Sequence, residues 1–309
     1  HRLYRNDGTG SFEDITVGSG LDAPAYGFGP AVGDFDGDGH VDLFIACLGP
    51  DRLYRGDGTG RFTDVTGSAG VAGPEDGWST SAGFLDYDRD GDLDLFVCRY
   101  VQWSREIDEA VNFTLNGVDR AYGPPKNFRG THNVLFRNEG DGTFTDVSAE
   151  SGIEVTNPAT GEPMGKALAV CFADVDQDGW IDILVANDTV ANFAFRNRGD
   201  GTFEELGAIS GLAFDGMGQA TGAMGMDVGD LAGDGRLCIG IGNFANEASS
   251  LYVQQPADRW QFADMSSLQG IGSPSRLRLS FGVLFLDADL DWRLDMLQAN
   301  GHLEEEITE

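Results

Sequence analysis

A nine-residue pattern, D-x-D-x-D-G-x-x-D, recurs along this chain between apolar runs, with its first aspartate at Asp34, Asp86, Asp174, Asp230 and Asp287. The gaps between copies are 52, 88, 56 and 57 residues. A second pattern, L-[YF]-R-[NG]-x-G-x-G-x-F-x-[DE]-[VI], begins at Leu3, Leu53 and Leu135, with a weaker copy at Phe195 and a frayed one at Leu251. Together they describe one unit of four short strands. The first runs into the aspartate loop (AVGDF), the second leaves it (DLFIACL), and the third is the L-Y-R segment. The fourth follows a Gly-rich hairpin whose glycines supply positive φ. Four antiparallel strands in roughly 50 to 57 residues match one propeller blade. A β-solenoid or a string of small independent domains is the rival architecture, but a unit this size cannot bury both faces of its sheet alone. The expectation is an all-β chain: a β-propeller of four-stranded blades, about five blades' worth, forming one domain over residues 1–309 with an insertion at about 100–132. The chain opens on strands three and four and ends on strands one and two. Its two ends therefore either complete a shared blade in a closed five-bladed ring or belong to a longer propeller.

In the aspartate loops, carboxylates at positions 1, 3 and 5 converge on one point, and the glycine at position 6 permits the sharp turn. Position 7 offers a backbone carbonyl and position 9 closes the shell. This is hard-oxygen calcium chemistry, whereas magnesium wants a tighter octahedron and more water. The predicted metal residues are Asp34, Asp36, Asp38, His40 and Asp42; Asp86, Asp88, Asp90, Asp92 and Asp94; Asp174, Asp176, Asp178, Trp180 and Asp182; and Asp287, Asp289, Asp291, Arg293 and Asp295. His40, Asp92, Trp180 and Arg293 would contribute through their carbonyls. Without a cation such carboxylates repel by about 4 kcal/mol per close pair at an effective dielectric near 20. Solvated acidic turns would not need this spacing four times. The last loop carries Trp292 where glycine is expected, and the Asp230 loop keeps only Asp230 and Asp234, with Cys238 at its closing position. The reading is therefore three to four calcium ions.

Composition agrees. The 309 residues hold 51 acidic against 20 basic side chains, a net charge of -31 that opposes nucleic acid and anionic membranes and favours divalent cations. The chain is 41% apolar, enough to bury a core rather than remain a disordered acidic tail. No run approaches the roughly 18 to 20 apolar residues of a membrane span. Cys47, Cys98, Cys171 and Cys238 lie in apolar segments without metal-site or redox spacing and read as buried thiols.

These motifs resemble the FG-GAP/VCBS repeats of integrin α-subunit heads and of many bacterial extracellular proteins, over nearly the whole chain. The segments ANDT at Ala186, GNFANE at Gly242, ANGH at Ala299 and the insertion ending RAYGPPKNFRG are similar to the cartilage-acidic-protein (ASPIC/UnbV) branch. The resemblance implies a secreted, periplasmic or cell-surface calcium protein. Members of that branch continue beyond ANGH into a C-terminal ASPIC domain, so it also implies an original propeller of about seven blades.

Blade geometry puts the calcium loops on one face and the insertion, residues 100–132, on the other. Trp103, Phe113, Tyr122 and Phe128, among Arg105, Arg120 and Arg129, have the aromatic and arginine mixture of an interface, or of a lid over the channel. His132 and the strand ends Asn187, Asp188, Asn243, Asn246, Glu247, Asn300 and His302 face the same way. They form either a polar site for a sugar, peptide or second metal, or turn caps. The leading expectation is a module that binds an extracellular protein or glycan. The alternative is a lyase or hydrolase using His132 and His302 with acidic residues on that face. No G-x-S-x-G, H-E-x-x-H or nucleophilic Cys/His pair demands chemistry. The Gly-x-Gly elements precede strands, not helices, which removes a dinucleotide loop.

Overall fold

The computed structural model describes residues 1–115, 117, 119–121 and 123–303. The order begins with a two-stranded pair, β1 (Tyr4–Asn6) and β2 (Phe12–Asp14). Blade 1 follows as β3 (Tyr26–Gly33), β4 (Asp42–Leu48), β5 (Arg52–Gly56) and β6 (Phe62–Asp64). Blade 2 begins with β7 (Ser79–Leu85) and β8 (Asp94–Arg99). The insertion then holds a helix, Arg105–Val111, and the short hairpin β9 (Thr114–Leu115) and β10 (Asp119–Arg120), after which β11 (Val134–Asn138) and β12 (Phe144–Asp146) complete the blade. Blade 3 is β13 (Ala167–Ala173), β14 (Asp182–Asn187), β15 (Phe193–Asn197) and β16 (Phe203–Glu205). Blade 4 is β17 (Ala223–Gly229), β18 (Cys238–Asn243), β19 (Ser250–Gln255) and β20 (Asp258–Asp264). A final pair, β21 (Leu279–Leu286) and β22 (Asp295–Gly301), ends the described chain. Each complete blade is an antiparallel sheet whose strand order follows the sequence.

The blades stack through their first strands, with β3, β7, β13, β17 and β21 in contact one after another. All five first strands carry a register shift near their start. Such a shift bends and twists an inner strand. Close approach there requires glycine: a Cβ on Gly225 would lie 2.4 Å from the Phe281 carbonyl oxygen.

Period-2 alternation explains why the second strands are apolar throughout rather than alternating. In β8, Leu95 and Val97 pack into the core shared with blade 1, while Phe96 and Cys98 pack toward blade 3. In β14, Ile183 and Val185 join blade 2, and Leu184 and Ala186 join blade 4. Both faces of a middle blade are therefore core, as in parallel sheets covered on both sides. The hydrophobic clusters lie between blades, not within them.

Among the described residues the shared fifth blade is not formed: no ladder joins β1–β2 to β21–β22, which remain separate two-stranded sheets. β1–β2 abuts blade 1 through Leu3, and β21–β22 covers blade 4 through Phe285 and Met296.

The insertion is tied to its surroundings by hydrogen bonds. Val101 bridges Gly130, the Gln102 N–H donates to the Arg129 carbonyl at 2.8 Å, and Lys166 Nζ reaches the Pro125 carbonyl at 2.7 Å. Its helix is capped by Ser104, whose hydroxyl accepts the Ile107 N–H, and ends at Asn112 in the left-handed region. Predicted Tyr122 lies outside the described residues.

Candidate metal centres and the opposite face

All five aspartate loops share one backbone. Position 4 is left-handed in each, at Gly37, Arg89, Gln177, Gly233 and Leu290. Position 6 is left-handed too, at Gly39, Gly91, Gly179, Gly235 and, in the last loop, Trp292. Local hydrogen bonds set this shape: Asp34 accepts the N–H groups of Asp38 (3.1 Å) and Gly39 (2.9 Å), and Asp287 accepts those of Asp291 and Trp292. The Asp230 loop repeats this through Asp234 and Gly235.

Four loops bring three carboxylates to within 4.8 Å of one another: Asp34, Asp36 and Asp42; Asp86, Asp88 and Asp90; Asp174, Asp176 and Asp182; and Asp287, Asp289 and Asp291. These are four of the predicted sets, with membership that varies: position 9 joins in the first and third, position 5 in the second and last. Where they stand outside the trio, Asp38 and Asp178 each accept the N–H two residues on, those of His40 and Trp180, both at 2.9 Å. At position 7 the side chains turn to the neighbouring hairpin. A Cβ on Gly58 would meet His40 Nδ1 at 2.4 Å, and one on Gly199 would meet the Trp180 ring at 2.7 Å. Arg89 lies over that Trp180 ring, 4.7 Å from its centroid, and donates to the Gly179 carbonyl. Arg293 donates its backbone N–H to Asp291. In the fourth loop Asp234 is held by Arg236 at 2.6 Å, and Cys238 replaces the closing carboxylate.

The closing aspartates also anchor the fold. Asp42 accepts the N–H of Phe35 at 3.0 Å and of Gly56 at 2.8 Å. Asp94 does the same for Tyr87 and Asn138, and Asp182 for Val175 and Asn197. Asp295 takes the Ala288 N–H. Burial pushes the Asp94 and Asp182 carboxyls up to about 7 against these N–H bonds, with nearby loop carboxylates adding to the rise. Asp42 and Asp88 are raised for the same first reason.

Two residue types escaped the sequence reading. The motif arginine of the third strand sits beside the loop: Arg196 is 2.9 Å from Asp176, and Arg55 is 3.9 Å from Asp36. A residue at or next to the end of the third strand latches the preceding blade. Asn138 Nδ2 donates to the Phe35 carbonyl (2.8 Å), Asn197 Nδ2 to the Tyr87 carbonyl (2.8 Å), and Gln254 Nε2 to the Val175 carbonyl (2.9 Å). Phe35, Tyr87 and Val175 all occupy loop position 2 with side chains buried in the core between blades. Each such loop is thus held by its own closing aspartate and by the next blade. The recurrent R-N ending the third strand was the available signal.

Whether the loops fit a cation can be tested on their oxygens. Asp86 Oδ1 and Asp174 Oδ1, the first-position atoms of two loops, are buried without a hydrogen-bond partner. A buried acceptor left so is costly. A hard cation held by such oxygens removes that cost, so the donor set fits calcium.

On the opposite face, most of the predicted polar residues are bound into the fold. Asn187 accepts the Lys166 N–H and donates to the Ala191 carbonyl. Asp188 accepts the Tyr100 hydroxyl at 2.5 Å, and burial pushes its carboxyl up to about 6. Asn243 accepts the Thr221 hydroxyl, Glu247 the Gly222 N–H, and Asn300 the Ser280 hydroxyl. His302 packs edge-on against Phe244. Trp103 packs against Trp78 with centroids 5.9 Å apart, Phe128 is half-buried, and His132 lines a cavity between blades 1 and 2. Among the described residues, no histidine joins a cluster of three metal-ligating or acidic side chains.

The repeated blade with its aspartate loop defines a class, and the FG-GAP-like repeat profile matches residues 1–45, 34–97, 122–185 and 174–239. The chain belongs to the FG-GAP-like repeat family. It is similar to cartilage acidic protein 1 of Homo sapiens, 31% identical over 156 residues that make up 50% of this chain and 21% of that protein. The Mus musculus protein of the same name is 30% identical over 50% of this chain and 22% of its own length. The chain thus spans about a fifth of the curated relatives it matches. Among solved structures, an Agrocybe aegerita lectin that recognises non-reducing terminal N-acetylglucosamine aligns over 96% of this chain and 68% of its own, with a TM-score of 0.53 at 18% identity. That likeness is one of fold. No helix among the described residues is long and apolar enough to cross a membrane.

Proposed function

We propose that this chain is an extracellular, calcium-stapled propeller module that recognises a glycan or protein through the face opposite its aspartate loops. The observation that carries the calcium reading is the set of four carboxylate trios, two with a buried, unpartnered first-position oxygen. Asp34, Asp36 and Asp42, and the three matching trios, would hold the ions, with position 7 carbonyls completing the shell. A cation there neutralises carboxylates that otherwise repel, and fixes loops whose second residue plugs the seam between blades. The similarity to cartilage acidic protein 1 supports the same setting.

The test is a thermal melt with and without excess chelator, with metal content measured on the same sample. Each site at 100 times its Kd adds about 2.7 kcal/mol. Three or four calcium ions per chain and a drop of many degrees in chelator are expected. An unchanged melt with no metal would refute the staple.

A further inference from the structure

We infer that the cavity between blades 1 and 2, on the face opposite the aspartate loops, is a binding site for a short neutral saccharide. This rests on the recognition reading above and gives it a place and a ligand class.

The cavity measures about 470 Å³, within the roughly 300–1,000 Å³ of small-molecule sites. Its walls come from the loop before β7, the end of β8 and the residues after it, the segment leading from the insertion into β11, β11 itself and the end of β12. Four lining side chains hold a buried polar atom without a partner: Trp78 Nε1, Arg99 Nε, Thr131 Oγ1 and His132 Nδ1. Native interiors leave few such atoms, and four of them belong to residues around this one cavity.

These groups are held ready. Arg99 is 7% exposed and lies 3.5 Å from Asp51, which is itself fully buried. Its guanidinium fits only because Gly73 and Gly77 lack side chains: a Cβ at either would come within 2.3 or 2.5 Å of its terminal nitrogens. The Trp78 indole is fixed by Phe28, Tyr100 and Trp103, at centroid distances of 5.6, 5.2 and 5.9 Å. The Thr131 N–H is tied to the Gly165 carbonyl at 2.9 Å.

The chemistry selects the class. Trp78 Nε1 and Arg99 Nε can only donate, Thr131 can donate or accept, and Asp76 and Asp146 on the same cavity only accept when ionised. A ligand must therefore present acceptors and donors together, as sugar hydroxyls do from single atoms. A neutral ligand suits this set of groups best. Arg99 is already paired with Asp51, and two further carboxylates on a chain of net charge -31 repel an anion. A cationic amine would be drawn to Asp76 and Asp146 but offers no acceptor to the Trp78 and Arg99 N–H groups. Indole beside polar groups offers an apolar face to a pyranose ring while its N–H serves as a handle. Extended peptides are read along sheet edges and long grooves, whereas this is a compact cavity of about 470 Å³ with Trp78 in its lining.

The test uses the calcium-loaded full chain on an array of neutral and acidic oligosaccharides beside a peptide array, then calorimetry with whichever neutral oligosaccharide is retained. Thr131→Val removes the hydroxyl at constant shape, and Trp78→Phe keeps a ring but loses the N–H. Each is expected to weaken binding about 5- to 10-fold, the worth of one hydrogen bond. Both variants should melt in calcium within a few degrees of the parent. Retention of acidic sugars alone overturns the proposal, as does a neutral sugar bound by both folded variants with parental affinity. Retention of peptides and no sugar overturns the proposal but leaves the recognition reading standing. Retention of nothing by a metal-loaded chain removes both.

Discussion

Replacing Asn138 by alanine should destabilise this propeller far more than its identity as one motif asparagine among several implies. Asn138 is 2% exposed, and its side chain makes three hydrogen bonds: Nδ2 to the carbonyls of Phe35 (2.8 Å) and Leu93 (3.0 Å), and Oδ1 from the Gly140 N–H (3.1 Å). Alanine leaves the two carbonyls unpaired where water does not reach. Each buried group left so costs about 1–3 kcal/mol, giving about 4 kcal/mol in total. At about 2–4 °C per kcal/mol for chains somewhat smaller than this one, the melting temperature should fall by about 8–16 °C. The Phe35 carbonyl belongs to the Asp34 loop, so calcium binding should weaken in the blade before the mutation as well as in its own. The internal control is Asn6, the same motif residue on exposed β1, whose side chain accepts only the Gly8 N–H. Asn6→Ala should cost well under 1 kcal/mol, since exposed sites away from special features change little. Differential scanning calorimetry and calcium titration of both variants decide the matter. If Asn138→Ala costs no more than Asn6→Ala, the inter-blade latch does not hold the propeller together.

Two further predictions concern other parts of the fold. Burial outweighs the Arg99 charge and raises Asp51 from 3.8 to about 6. A carboxyl raised in the folded state stabilises fully below its unfolded pKa, and that contribution is lost as pH rises through about 6. The stability difference between the parent and Asp51→Asn should therefore shift by about 2 kcal/mol against the parent between pH 4 and pH 6. Urea unfolding in chelator at several pH values measures it, and a pH-independent difference would mean the Asp51 pKa is unshifted. Trp292 stands at φ +70 and 95% exposed, where other loops have glycine. Trp292→Gly relieves the left-handed strain at some cost in chain entropy and should stabilise by about 0.5–1 kcal/mol, and a loss of stability would refute the strain argument.

Much of this fold was legible because its constraints are local and repeated. Apolar runs such as DLFIACL fit a strand covered on both faces, and the spacing of Asp86, Asp88 and Asp90 fits carboxylates turned to one point. The left-handed residues Arg89, Gln177 and Leu290 were not legible, because the loop's hydrogen bonds impose that conformation on whatever side chain occupies the position. The latch was half visible: Asn138 and Asn197 share the R-N ending, but Gln254 reaches the same target with a longer side chain, and blade 1 has Gly56 there. On the far face, Asn187 and Asn243 satisfy main-chain and hydroxyl groups at strand ends, as the capping alternative allowed. The cavity of Trp78 and Arg99 draws its walls from segments spread between Gly70 and Asp146, a juxtaposition that only folding creates.

The latches also impose a direction in time. Each runs backward, from Asn138 to Phe35, from Asn197 to Tyr87 and from Gln254 to Val175, across 103, 110 and 79 residues. A ribosome must extend the chain by that much beyond a loop before its exposed carbonyl is claimed. Of any two blades joined in this way, the earlier is therefore incompletely fastened until its successor has folded onto it.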